Sequence, residues 1–349
     1  MPEWLSGPLP ELHSDIEEKA LERQSNLTKP PGSLGRLEAI AVQLCAITGK
    51  EKPSAQKVHI AVFASDHGIA AQGVSAFPQE VTAAMIQNFA SGGAAISVLA
   101  KELDATLEVI NLGTVSELPA IEGVVDAHIG PGTADFSQEL AMDENQLAKA
   151  LHTGRQSVER AQLDGADIFV AGEMGIANTT SATALACALL HLAPYEMAGR
   201  GTGVDDEGLK RKISAIEKSL RLHHDNLSSP WEILGCLGGF EIAAMAGAYI
   251  AAARMRMPAV VDGFIATAAA LVAEHLCPGV HKHLLFGHRS AEQAHRRILD
   301  ALHASPILDL DMRLGEGSGA AMAIPAIRMA CALHNNMATF AEAEVSEKI

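Results

Sequence analysis

Glu316 stands between Gly315 and Gly317, with Ser318 next in the chain. The glycines leave its carboxylate unshielded by neighbouring side chains, and Ser318 suits the N-cap of a following helix. A helix N-terminus lowers a carboxylate's pKa and favours the charged, proton-accepting form. A Glu at such a place more commonly helps to cap its helix, and residue types leave both readings open. A second cluster is Gly172-Glu173-Met174-Gly175-Ile176-Ala177-Asn178-Thr179-Thr180. Gly175 lets backbone approach a ligand, while Asn178, Thr179 and Thr180 can cap a helix and offer N–H groups to a phosphate. It is neither a Walker A loop nor GxGxxG, and an ordinary strand-to-helix turn explains the same residues equally well. A third, Gly199-Arg200-Gly201-Thr202-Gly203, precedes Lys210, Arg211 and Lys212, which suits a phosphate but equally a flexible loop entering a basic helix face. Asp66-His67 and His223, His224, His281, His283 and His288 have neither HExxH nor zinc-site spacing. Metal catalysis is therefore not expected, and His67 and His288 are expected to hydrogen-bond at a sheet edge.

The clusters follow short apolar runs. Residues 58–64, 106–111, 167–171, 259–261 and 283–286 read as strands buried on both faces, with 124–129 and 307–310 as weaker candidates. Helical patterns separate most of them, which predicts an α/β fold with a mainly parallel sheet. In such sheets ligands bind beyond the carboxyl ends of the strands, where the polar clusters fall. Pro78 and Glu80 suit the first turn of a helix with Val81, Ala84, Met85 and Phe89 on one face. Helical spacing before residue 50 and again over 318–340, with Pro325 as the place for a bend, fits a small helical domain built from both chain ends.

The chain has 349 residues, 48% hydrophobic and 19% charged, enough for a large core and a smaller companion domain. With 26 basic against 42 acidic residues the net charge is −16, which argues against nucleic acid or an anionic membrane as partner. A phosphorylated small molecule needs only local N–H groups and one or two cations. No signal peptide is expected from Met1-Pro2-Glu3-Trp4, and no membrane span either; the nearest stretch, 242–253, reads as a buried Ala-rich helix. Five dispersed cysteines without CxxC spacing fit a reducing, cytoplasmic setting.

Taken in order, several segments carry a resemblance over nearly the whole chain. They include Thr28-Lys29-Pro30-Pro31-Gly32-Ser33-Leu34-Gly35, Ser65-Asp66-His67-Gly68, Val74-Ser75-Ala76-Phe77-Pro78-Gln79-Glu80-Val81-Thr82 and residues 172–180. Residues 199–203, Val261-Asp262-Gly263-Phe264, His288-Arg289-Ser290 and Leu314-Gly315-Glu316-Gly317-Ser318-Gly319-Ala320 complete the set. Each is weak alone. The ordered set resembles the nicotinate-nucleotide–dimethylbenzimidazole phosphoribosyltransferases, which make the lower-ligand nucleotide of cobalamin.

The resemblance implies a homodimer with a Rossmann-like domain over 56–317 and a small helical domain from 1–55 and 318–349 that helps to close the neighbouring subunit's site. It implies transfer of phosphoribose from nicotinate mononucleotide to a benzimidazole with inversion at C1′, requiring neither metal nor organic cofactor. Glu316 matches the family's general base. Gly175, Asn178, Thr179, Thr180, Gly201, Thr202, Lys212 and Ser290 are implied at the ribose phosphate and nicotinate, and Glu173 and Asp262 at the ribose or reacting groups. Ser75, Phe77, Gln87 and Leu314 are implied in the base pocket, where Phe77 leaves base preference open. Two other readings compete. A pyrophosphate-donor phosphoribosyltransferase is partly echoed by Val260-Val261-Asp262-Gly263, although the second acid is missing. A catalytically silent base-binding homologue is opposed by the presence of Glu316.

Overall fold

The computed structural model describes residues 1–201 and 203–344. Among the described residues six strands form one parallel sheet: β1 (Val58–Ser65), β2 (Thr106–Gly113), β3 (Val124–Asp126), β4 (Ile168–Met174), β5 (Ala259–Val261) and β6 (Leu284–Phe286). Their order is β3-β2-β1-β4-β5-β6, the doubly wound Rossmann arrangement, and the direction of winding reverses beside β1. All eight residues of β1 are buried, as its unbroken apolar run requires.

Helices cover both faces. Along the chain they are α1 (Ser14–Asn26), α2 (Arg36–Thr48), α3 (Glu80–Ala90), α4 (Ala95–Glu102), α5 (Glu144–Leu163), α6 (Asn178–Leu190) and α7 (Pro194–Met197). There follow α8 (Asp206–Leu222), α9 (Pro230–Leu237), α10 (Phe240–Arg254), α11 (Phe264–Leu276), α12 (His295–Ala301) and α13 (Ser318–Asn336). The strands' alternation divides the core in two. Ala61, Phe63, Phe169 and Ala171 face one cluster with α5, α6, α10 and α11, whereas Ile60, Val62, Ile168 and Val170 face another with α2, α3, α4 and α13. Removing a ring such as Phe63, fully buried here, would cost about 3–5 kcal/mol.

α1 packs on α2 and α2 on α13, so helices from the two chain ends meet; Leu27 bridges to Thr339. α13 runs through Pro325 and ends at Asn336, short of the expected 340.

Several local readings need correction. Residues 307–310 form no strand: a single parallel bridge joins His288 to Leu308. The run stops because Asp309 turns out to pair with Arg289 and Asp311 takes a positive φ of 54°. Of the other weak run, only Val124–Asp126 is strand, at the sheet edge. α3 is rotated from the expected face. Thr82, Ala83, Ile86 and Phe89 are buried, while Ala84 is exposed and Val81 and Met85 are half-buried. Among the described residues the helical stretch long and apolar enough to cross a membrane, by length and composition alone, is Glu80–Glu102, with mean hydropathy 1.3 over its best window, rather than 242–253. A turn divides it into α3 and α4, both packed on the sheet.

Candidate active site

The carboxyl ends of the strands open on a cavity of about 420 Å³. β4 delivers Glu173 to it, and Asp262 follows directly on β5. Glu316 comes from the loop before α13, which lies directly on β4. A Cβ on Gly172 would overlap the Glu316 carbonyl oxygen, so this strand position needs a glycine for the loop to reach the cavity floor. Gly315, Glu316 and Gly317 all have positive φ, at 91°, 64° and 84°. For Glu316 that conformation is strained, and the surrounding contacts hold it. Asp262 does much of the holding: Oδ2 accepts the Gly317 N–H at 3.2 Å and Oδ1 the Ala320 N–H at 2.8 Å, with His288 Nε2 at 3.6 Å. Asp262 therefore caps α13 from outside its own segment. The Glu316 carboxylate accepts the N–H of Ile96, in the first turn of α4, at 3.2 Å.

Three carboxyl groups thus converge, and burial governs their protons. Glu316 is pushed above the usual carboxylate range by burial, opposed by the Ile96 N–H and reinforced by the Asp262 charge. This reverses the direction expected from a helix N-terminus alone, because loss of water outweighs one N–H. Glu173 is raised well above that range by burial and then by Glu241, with Asp262 and Glu316 adding to the effect against a hydrogen bond from the Asn178 amide. Asp262 is raised by burial, with His288 opposing.

Behind the cavity wall at Thr179, Lys212 from α8 is buried. Its Nζ donates to Thr179 Oγ1 at 2.7 Å and to the Gly199 carbonyl at 3.3 Å. Burial pushes its pKa down to about 8, with the Glu292 charge opposing. Gly201 turns back against the ammonium with φ of 53°, and Ser290 lines the same cavity.

Comparison with known proteins agrees with a phosphate-binding reading. A family model described as a phosphoribosyltransferase matches residues 9–345. The nicotinate-nucleotide–dimethylbenzimidazole phosphoribosyltransferase of Xanthomonas axonopodis pv. citri (strain 306) is 57% identical over 345 residues, covering 99% of each chain. That of Ectopseudomonas mendocina (strain ymp) is 54% identical over 346 residues with the same coverage. The chain belongs to the nicotinate-nucleotide–dimethylbenzimidazole phosphoribosyltransferase family. The solved structure of CobT from Thermus thermophilus superimposes with a TM-score of 0.92 at 45% identity, covering 96% of this chain and 100% of the other.

Within this phosphoribosyltransferase the cavity brings together Glu316, Glu173, Asp262, Gly175, Asn178, Thr179, Gly201, Ser290, Phe77 and Leu314. Lys212 does not line it and reaches it only through Thr179. Besides Lys212, three expected residues do not line it. Ser75 lies in the loop before α3, where its hydroxyl accepts the Phe77 N–H. Gln87 is on the exposed side of α3, and Thr180 is buried within α6 with no hydrogen-bond partner for Oγ1. Thr202 lies outside the described residues. Nor do Asn178, Thr179 and Thr180 cap α6: its N-cap is Ala177, with φ of 77°, and the Asn178 amide turns to Glu173 instead. Ser318 likewise is the first residue of α13 rather than its cap, and donates back to the Gly315 carbonyl at 2.7 Å.

Sequence reasoning missed Val81, Met85, Ile176, Glu292 and Arg313, which also line the cavity. Arg313 sits beside the Leu314 motif, and Val81 and Met85 were assigned to a core face, so a signal existed for those three. It also missed Glu241. From α10 this fully buried carboxylate accepts from His67 Nε2 at 2.7 Å and from the Ser65 hydroxyl, directly behind Gly175.

Proposed function

We propose that this protein transfers the 5-phosphoribosyl group of nicotinate mononucleotide to 5,6-dimethylbenzimidazole or a related base. The products are α-ribazole 5′-phosphate and nicotinate, with inversion at C1′, in cobalamin biosynthesis. The observation that carries the reading is a buried Glu316 carboxylate on the wall of a cavity that a buried lysine backs through the lining residue Thr179. The printed names of the relatives support the substrates.

The chemistry needs a base and no acid. As one benzimidazole nitrogen bonds to C1′, the C1′–nitrogen bond of the pyridinium breaks and its electron pair neutralises the departing nicotinate ring. The remaining N–H proton of the benzimidazole passes to Glu316. A pKa raised above that of an ordinary carboxylate brings the base nearer neutral pH, where general-base transfer is most effective. Glu173, whose neutral form burial favours, serves as a hydrogen-bond donor to the ribose, while Asp262 holds the Glu316 loop. Lys212, Thr179, Gly175, Gly201, Thr202 and Ser290 anchor the phosphate. Phe77 and Leu314 flank the flat base and Asn178 stands beside the nucleotide, whereas Ser75, Gln87 and Thr180 lie outside the cavity wall and make no direct contact with either substrate. Such an apolar slot discriminates weakly between bases differing by a methyl group.

The same reading has the protein acting as a cytoplasmic homodimer, residues 1–55 and 318–349 closing on the neighbouring copy's site. Its support is that Phe77 and Leu314, at the base end, are 53% and 58% exposed in the single chain. A pyrophosphate donor is less well served, because both Asp262 oxygens are already engaged by backbone N–H groups. Incubation with nicotinate mononucleotide and 5,6-dimethylbenzimidazole should release free nicotinate and an α-ribotide. Absence of both products with a folded protein would overturn the reading.

A further inference from the structure

Among the described residues four acidic side chains line the cavity, and one of them stands on the wrong side for catalysis. Glu173, Asp262 and Glu316 influence one another at the base end. Glu292, between β6 and α12, lies instead in the lysine corner with Ser290, Thr179 and Gly201. Its carboxylate comes so close to Gly199 that a Cβ there would overlap Oε2, and the Gly199 carbonyl is itself an acceptor for Lys212. The principal charge acting on Lys212 is that of Glu292. A corner built only for tight phosphate binding would not hold an anion of its own, because a second anion there repels the first.

We propose that Glu292 is a counter-ion in this corner that, without direct contact with Lys212, opposes the substrate's phosphate by its charge and so limits how tightly phosphorylated ligands are held. The proposal rests on the phosphoribosyl-transfer reading and deepens it. Substrate and product of that reaction both carry the phosphate, so every gain at the anchor holds the product as firmly as the donor. Such uniform binding lowers KM without raising kcat. A carboxylate fixed beside the anchor offsets part of that grip and favours product release.

The test is calorimetric titration of inorganic phosphate and of ribose 5-phosphate into wild type, Glu292→Gln, Glu292→Ala and Glu292→Asp. Removal of the charge in Gln and Ala should tighten both ligands about 3- to 10-fold, an effect that shrinks with added salt, while Asp stays near wild type. KM for nicotinate mononucleotide should fall in parallel and that for the benzimidazole should not. Unchanged or weaker phosphate binding in the Gln and Ala variants overturns the proposal, and weaker binding would make Glu292 a substrate ligand. The two readings fail separately. Tighter phosphate binding in a protein that never turns over nicotinate mononucleotide would spare the counter-ion and sink the activity. Normal turnover with unaltered phosphate affinity would do the reverse.

Discussion

The two ends of the cavity use the same physical effect with opposite signs. At the Glu316 end, burial raises carboxyl groups, so protons are held more tightly and can be accepted near neutral pH. At the Lys212 end, burial lowers an ammonium to about 8, so its proton is held less tightly. Desolvation penalises charge of either sign. One end is therefore a place to put a proton, and the other a cation whose charge a nearby anion reinforces. Their supports differ as well. Glu316 is held through backbone, by Asp262 and the close contact with Gly172, whereas Lys212 is held by one hydroxyl and one carbonyl. Packing of backbone on backbone fixes the first, and two side-chain hydrogen bonds fix the second.

The largest expected effect breaks the base end. Glu316→Gln keeps shape but cannot take the proton, so kcat and kcat/KM should both fall by about 10²–10⁴-fold with benzimidazole binding intact. Near-wild-type kcat in a folded protein would move the role to Glu173. Next comes the other end: Lys212→Ala removes a charged donor whose hydrogen bonds are worth about 1.5–3 kcal/mol. KM for nicotinate mononucleotide should rise by about 10- to 150-fold and that for the base much less; equal rises would count against the phosphate corner. In the wild type the same KM should climb as pH passes 8 and Lys212 loses its proton. Gly172→Ala tests the rigidity of the base end without touching a reacting group. The added Cβ must push the Glu316 loop away, at a cost of about 1–3 kcal/mol in stability. We expect kcat to drop about tenfold with unchanged nucleotide binding. An unaffected kcat would mean that the loop is not positioned by β4.

The strand ends, the Gly-flanked Glu316 and the turn after β4 were legible because each depends on local pattern: an apolar run, then glycine and polar residues. What stayed hidden depends on contacts far apart in sequence. His67 meets Glu241 across 174 positions, and Asp262 caps a helix 55 residues away. Local logic also misjudged proton affinity at Glu316, since a helix N-terminus is readable from sequence and the degree of burial is not. α3 shows a third limit. Its apolar residues cover more than one face, so periodicity could not say that Val81 and Met85 turn to the cavity and Gln87 to solvent. The resemblance carried Glu316, Asp262 and Ser290 to the cavity, where spacing alone would not have joined them.

Glu173 offers the smallest and most discriminating test of the comparison. If burial and the neighbouring carboxylates hold it neutral, Glu173→Gln replaces one uncharged hydrogen-bonding group by another, and kcat at pH 7 should change only a few-fold. The difference should emerge in stability as pH rises. A carboxyl whose folded pKa lies above its unfolded value favours the folded state fully below the unfolded pKa, and that contribution is lost as pH climbs through the folded pKa. Lys212 pulls the other way: its folded pKa of about 8 lies below the ordinary 10.5, so its penalty on folding lessens as pH rises across that interval. Both enzymes carry Lys212, so its contribution cancels in the comparison. The midpoint of thermal unfolding for Glu173→Gln should therefore gain on wild type as pH increases above the ordinary carboxyl value of 4.5. Parallel Tm curves would mean that Glu173 is ionised throughout, and the base end would then hold charged carboxylates at close quarters rather than a neutral acid beside a base.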